Sequence, residues 1–144
     1  VAFCEFFLKG VKGLQEDALS NGCAKYHSKQ VYLRGYCISP GIYFRSTGLS
    51  VELHAAFALR PGDMDEFVQW PFAYKIKLSV IHPNQGGDCQ LEEWSTFIPL
   101  ACQRPQASAH PHSFLSASSL NLNDLIIRGY MEDDQLRIRW ELLP

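Results

Sequence analysis

The sequence predicts an all-β protein, an antiparallel β-sandwich of about seven to eight strands. Three observations point there. Apolar residues alternate with polar ones at a period of two, turn residues interrupt that alternation at short intervals, and helical periodicity is nearly absent.

Phe3 to Leu8 reads as the first strand. Gln30 to Tyr36 is rich in aromatic and β-branched residues and reads as another. Val51, Leu53, Ala55, Phe57 and Leu59 alternate with Glu52, His54, Ala56, Ala58 and Arg60. Lys75 to Val80 and Leu136 to Leu142 repeat the pattern, placing apolar side chains on one face and charges on the other. Leu125 to Tyr130 reads as a strand that Met131 to Gln135 turns into the last one as a hairpin. Ser39-Pro40-Gly41, Pro61-Gly62-Asp63, Pro83 to Asp88 and Arg104 to His112 carry the residues turns require. Only Gln15 to Leu19 and Met64 to Val68 could make short helical turns. An immunoglobulin domain is disfavoured, because no cysteine pair flanks a tryptophan.

The 144 residues suffice for one domain spanning 1–144, with 47% hydrophobic and 19% charged residues. A net charge of -2 gives no basic excess for nucleic acid or an anionic membrane. No apolar run reaches the ~20 residues of a membrane helix. The apolar start lacks a basic lead and contains Glu5, which argues against a signal peptide. With no initiator methionine, the chain reads as part of a longer protein. Five cysteines, odd in number and scattered, fit a reduced, cytoplasmic setting. His110-Pro111-His112 reads as a solvated loop, since zinc needs three or four converging ligands. Asp63, Asp65 and Glu66 read as a solvated acidic turn, short of the oxygen ladder of a calcium loop. No nucleophile lies in a catalytic motif, no phosphate loop is present, and no cofactor is expected.

One stretch carries a family resemblance. Leu59 to Leu78 contains a strand end, Arg60-Pro61-Gly62-Asp63, an acidic segment, then Trp70-Pro71-Phe72 before a lysine-bearing strand. It resembles the TRAF domain, the MATH fold. Leu33-Arg34-Gly35-Tyr36 is similar to a Leu-Arg-Ala-Tyr strand of that family, and Cys102-Gln103-Arg104-Pro105 to its Phe-Gln-Arg-Pro. Order and spacing agree from about Gln30 to Leu143, whereas residues 1–29 give no match.

The resemblance implies a protein-interaction module that takes extended peptides along an edge strand. It also implies an adaptor or ubiquitin-ligase component, with zinc only in modules outside this segment. The implied groove places Arg34 and Tyr36 on one strand face, and puts Ala56 where the family carries an outward Phe, next to His54. Pro40-Gly41 replaces an Asp-Gly pair, and Pro99-Leu100-Ala101-Cys102 replaces the ligand-gripping serines. Leu100 and Cys102 would then stand at the groove without hydroxyls. An apparent insertion around Gly41 to Gly48 sets Ile42-Tyr43-Phe44 on a loop. There Tyr43 and Phe44 either anchor a partner or fold back onto the sandwich. The rival reading is a self-associating domain with a vestigial groove. Trimerisation is not expected, as no heptad pattern is visible.

Overall fold

A computed structural model describes residues 1–84, 86–95, 99–106 and 112–144. The His110-Pro111-His112 cluster therefore lies mostly outside the described residues.

The chain opens with β1 (Phe3–Lys9), then α1 (Val11–Asn21), β2 (Cys23–His27), β3 (Val31–Leu33) and β4 (Tyr36–Ser46). There follow β5 (Val51–Leu59), β6 (Lys75–Ile81), β7 (Cys89–Trp94), a 3-10 turn at Pro99–Cys102, β8 (Ser113–Asn121), α2 (Leu122–Ile127) and β9 (Gln135–Leu143). Among the described residues these strands form two antiparallel sheets. One runs β1-β9-β6-β7; the other runs β2-β4-β5-β8, with β3 also paired to β4. The expected sandwich is thus present, with nine strands.

Four departures from the sequence reading have physical causes. First, Arg34 and Gly35 are not in a strand. With φ of 49° and 86° they form a two-residue turn that folds β3 onto β4, pairing Leu33 with Tyr36. Second, Ser39-Pro40-Gly41 is no turn but the middle of β4. The Pro40 carbonyl accepts from Ser28 N–H at 2.9 Å, so its missing donor faces the interval between β2 and β3, where no ladder bond is lost. Gly41 is required there, since a Cβ would lie 2.6 Å from the Tyr26 carbonyl. Ile42-Tyr43-Phe44 consequently lies in the same strand and not on a loop.

Third, residues 11–21 form a full helix. Its Val11 and Ala18 are buried and Leu14 packs beside them, an i, i+3, i+7 stripe. Gly22, at φ 92°, ends it with an N–H bond to the Ala18 carbonyl. Its start is held from afar: Asp134 accepts from Lys12 N–H through its carboxylate at 2.8 Å, and from Gly10 and Val11 N–H through its carbonyl. Fourth, Leu125 to Ile127 belongs to α2, not to a strand. Asn121 caps it by accepting from Asp124 N–H at 2.9 Å, and Leu122 and Leu125 are buried one turn apart. The last hairpin is therefore absent. β9 instead pairs with β1 over Gln135–Glu141 and with β6 over Arg137–Leu143.

Between the sheets, Phe57 stacks on Phe114 at 4.8 Å and meets Phe72 at 5.4 Å and Trp140 at 5.8 Å. All four are buried and come from both sheets and the linker between them. Phe57→Ala should cost about 3–5 kcal/mol, because rings from three sides cannot collapse into the space left. Urea unfolding checks this; a loss under ~1 kcal/mol would contradict the packing described.

Candidate partner-binding site

The expected site residues separate into three places. Tyr43, His54 and Ala56 come together on the outer face of the five-stranded sheet. Arg34 and Tyr36 lie at one end of the sandwich. Phe44, Leu100 and Cys102 belong to neither.

The outer face follows from strand alternation. Along β4 the outward residues are Cys37, Ser39, Gly41, Tyr43 and Arg45; along β5 they are Glu52, His54, Ala56 and Ala58. Gly41 pairs with Ala56 and Tyr43 with His54. Ser39, Ala56 and Ala58 are small and sunk, at 2%, 8% and 2% exposure, because taller neighbours stand around them. Around Ala56 lies a shallow groove of about 210 Å³ whose outward side chains include Lys25, His27, Tyr43, Ala56, Ser113 and Leu115. Lys25 Nζ sits 5.8 Å from the centre of the Tyr43 ring. A hydrogen bond to Cys23 and partial burial push the Tyr43 hydroxyl above the ordinary phenol range, so it stays a neutral hydroxyl.

His54 stands beside Tyr43 on the same face and is only 5% exposed. Arg45 Nε donates to His54 Nε2 at 3.2 Å, so the hydrogen is on Nδ1, which donates to the Ser116 carbonyl at 2.8 Å. That tautomer pins β8 to β5 where their register breaks between His54 and Ala56. At the same irregularity, Ser116 Oγ accepts from Ala55 N–H at 2.9 Å and donates to the Ser118 carbonyl at 2.7 Å.

Other site expectations are corrected by burial. Phe44 is 0% exposed and points into the core, so it cannot meet a partner. Tyr36, at 3% exposure, faces inward too. Its ring stands edge-on to Trp70, Phe72 and Tyr74, and its hydroxyl donates to the Gln69 carbonyl. Arg34 donates through Nε to the Leu142 carbonyl at 3.0 Å. Cys102 is buried; its carbonyl accepts from Phe72 N–H at 2.7 Å, and its thiol donates to the Ser95 carbonyl. Leu100 on the same 3-10 turn is exposed. Asp65 is not solvated either: at 5% exposure, its carboxylate takes Gly62 N–H at 3.0 Å and its carbonyl takes Trp70 Nε1–H at 2.8 Å. No cluster of three or more metal-ligating side chains occurs among the described residues.

Glu93 is a residue the sequence reading missed. It sits half-buried on the edge strand β7 and reaches the other sheet. Its carboxylate accepts from Ala117 and Ser118 N–H at 2.7 and 2.8 Å, filling two donors of the edge strand β8. Nothing in a lone glutamate within an alternating run announces that contact.

The chain belongs to the TRAF/meprin MATH domain family, whose model matches residues 23–139. TNF receptor-associated factor 6-B of Xenopus laevis is 28% identical over 144 residues, covering 92% of this chain and 25% of that protein. TNF receptor-associated factor 6 of Danio rerio is 32% identical over 84 residues, covering 58% of this chain and 15% of that protein. The chain thus spans about a quarter or less of the length of these relatives. Among solved structures, TRAF5 of Notothenia coriiceps superposes with a TM-score of 0.76 at 17% identity, covering 98% of this chain and 72% of that one. Domains of this family generally serve as protein–protein interaction domains in TRAF adaptors.

Two measurements probe this description. Glu93→Gln should raise amide hydrogen exchange at Ala117 and Ser118 by about tenfold while β4 and β5 stay protected, as one weakened charge-assisted clamp predicts. Unchanged exchange would show that the clamp does not form. Separately, burial pushes the Cys4 thiol up from 9.0 to about 11. Since the folded value is the higher one, the stability linked to the protonated thiol is intact below about pH 9 and falls as pH rises towards 11. Iodoacetamide at about pH 8 should therefore label Cys4 about a hundredfold more slowly in the native than in the urea-unfolded chain. Equal rates by peptide mass spectrometry would contradict its burial.

Proposed function

We propose that residues 1–144 form one interaction domain of an adaptor or ubiquitin-ligase component, working in a reducing, cytoplasmic setting without catalysis of its own. In this reading it takes an extended segment of a partner protein on the outer face of β4, β5 and β8, and any zinc modules lie elsewhere in the full protein. The observation that carries the proposal is the sunken Ala56, paired with Gly41 and set between Tyr43 and Leu115. A floor without bulk leaves room for one apolar side chain of an extended peptide, while the tyrosine wall supplies an aromatic contact with a polar tip.

The proposal predicts a different ligand preference from that of family members with an outward Phe, because Ala56 opens space there. A peptide array of receptor-tail and substrate segments tests this with the intact chain and with Ala56→Arg and Tyr43→Ala. Binding should fall at least about tenfold with Ala56→Arg, which fills the floor, and less with Tyr43→Ala. Circular dichroism should show both variants folded, since both side chains face outward. Peptides whose binding ignores both changes would place the contact surface elsewhere.

A further inference from the structure

β1 ends the four-stranded sheet, and every second residue of it turns its backbone N–H and C=O away from that sheet. We propose that this edge pairs with the same edge of a second copy of the chain, β1 against β1 in antiparallel order, with Phe3 of one copy opposite Phe7 of the other.

The backbone comes first. The Ala2 carbonyl accepts from Leu142 N–H at 2.8 Å, and Gly10 N–H donates to the Asp134 carbonyl at 3.1 Å. Between these bonds the register with β9 runs unbroken from Phe3 to Lys9. An antiparallel ladder alternates, so the even-numbered residues bond to β9, and Phe3, Glu5 and Phe7 present their N–H and C=O groups outward. Among the described residues no strand pairs with that side of β1. The Val1 carbonyl is already taken by Arg34 N–H at 2.8 Å, which limits the open stretch to the residues after it.

The other sheet edges are guarded and this one is not. Glu93 ties β7 to β8 and fills two of the β8 donors. β2 carries Lys25 and His27, and β3 is only 3 residues long. From Phe3 to Phe7, β1 has no proline or lysine. Its one charge there, Glu5, is paired with Arg137 Nη2 at 3.0 Å.

The exposed side chains name the occupant. Phe3 and Phe7 are 39% and 54% exposed, and stand on either side of Glu5 along the outer side of the strand. The pattern Phe-x-Glu-x-Phe reads the same in both directions. A two-fold axis at Glu5 therefore sets each Phe3 against a Phe7 and one Glu5 against the other. Aromatic rings directly opposite one another across antiparallel strands make a favourable pair. Each carboxylate is already bonded to its own Arg137, so neither brings a bare negative charge to the axis. The Arg139 guanidinium lies 3.9 Å from the centre of the Phe3 ring and keeps that ring in place before a second copy arrives.

The test is sedimentation of the intact chain from about 10 to about 1,000 µM, with amide hydrogen exchange at both ends of that range. A weak dimer should form, since the paired stretch is short. The amides of Glu5 and Phe7 should exchange at least about tenfold more slowly at the high concentration, while those of Cys4, Phe6 and Leu8 should be slow at both. Glu5→Pro should weaken the dimer at least about tenfold; β9 does not use that N–H, so the ladder within each copy survives. Phe7→Lys, at an exposed position, should weaken it comparably by setting a charge against Phe3, and decides the matter should Glu5→Pro fail to fold. A chain that stays monomeric at the highest concentration, a dimer indifferent to Phe7→Lys or to a folded Glu5→Pro, or protection gained on other strands and not at Glu5 and Phe7 would each overturn the proposal.

Discussion

Phe72 is where the structure is tied together. Its ring meets Tyr36 at 4.9 Å, Phe57 at 5.4 Å and Tyr74 at 5.6 Å, and its backbone N–H reaches the Cys102 carbonyl. It thus joins the start of β4, the middle of β5, the linker into β6 and the 3-10 turn before β8. Trp70, on the far side of Pro71, completes the plug by donating to the Asp65 carbonyl and standing against Tyr36. With one end of the sandwich closed by rings, the outer sheet face can be built from small residues without exposing the core.

This arrangement divides labour among residues that looked equivalent in sequence. Tyr36 and Tyr43 lie on one strand an odd number of residues apart, so one ring seals the interior and the other faces solvent. Phe44, next to Tyr43, is core for the same reason. Arg45 and His54 form a small polar pair on the outer face beside Tyr43, and Glu93 links the two sheets at one flank. The surface on offer to a partner is therefore narrow in its polar chemistry and fixed in its shape.

Strands that alternate in an unbroken run were legible in the sequence: β1, β5, β6 and β9 have nearly the bounds that period two assigns them. β4 was not, because Pro40 and Gly41 carry turn chemistry and only the tertiary interval between β2 and β3 lets them extend. α1 did show its stripe of Val11, Leu14 and Ala18 between two glycines, a helix signal outweighed by the surrounding strand pattern. α2 was hidden because Leu125-Ile126-Ile127 has strand composition, while the deciding residue was the Asn121 cap. The Arg34–Tyr36 pair was misplaced by counting a spacing of two through a glycine that reverses the chain. Ala56 was legible as a missing bulk; the contact of Glu93 was not, since it depends on a strand more than twenty residues away.

The pairing of β1 with β9 has a consequence for how the domain is made. Phe3 faces Glu141 and Lys9 faces Gln135, so the first strand of the sheet waits for the last. β9 also occupies an interior place, between β1 and β6, and until it docks β1 is separated from the β6–β7 pair. Emerging from a ribosome, the chain must keep Leu8, Ile76 and Leu78 from foreign contacts until β9 has been synthesised. Folding is then governed by long loop closure more than by local propensity, which slows it for a domain of this size.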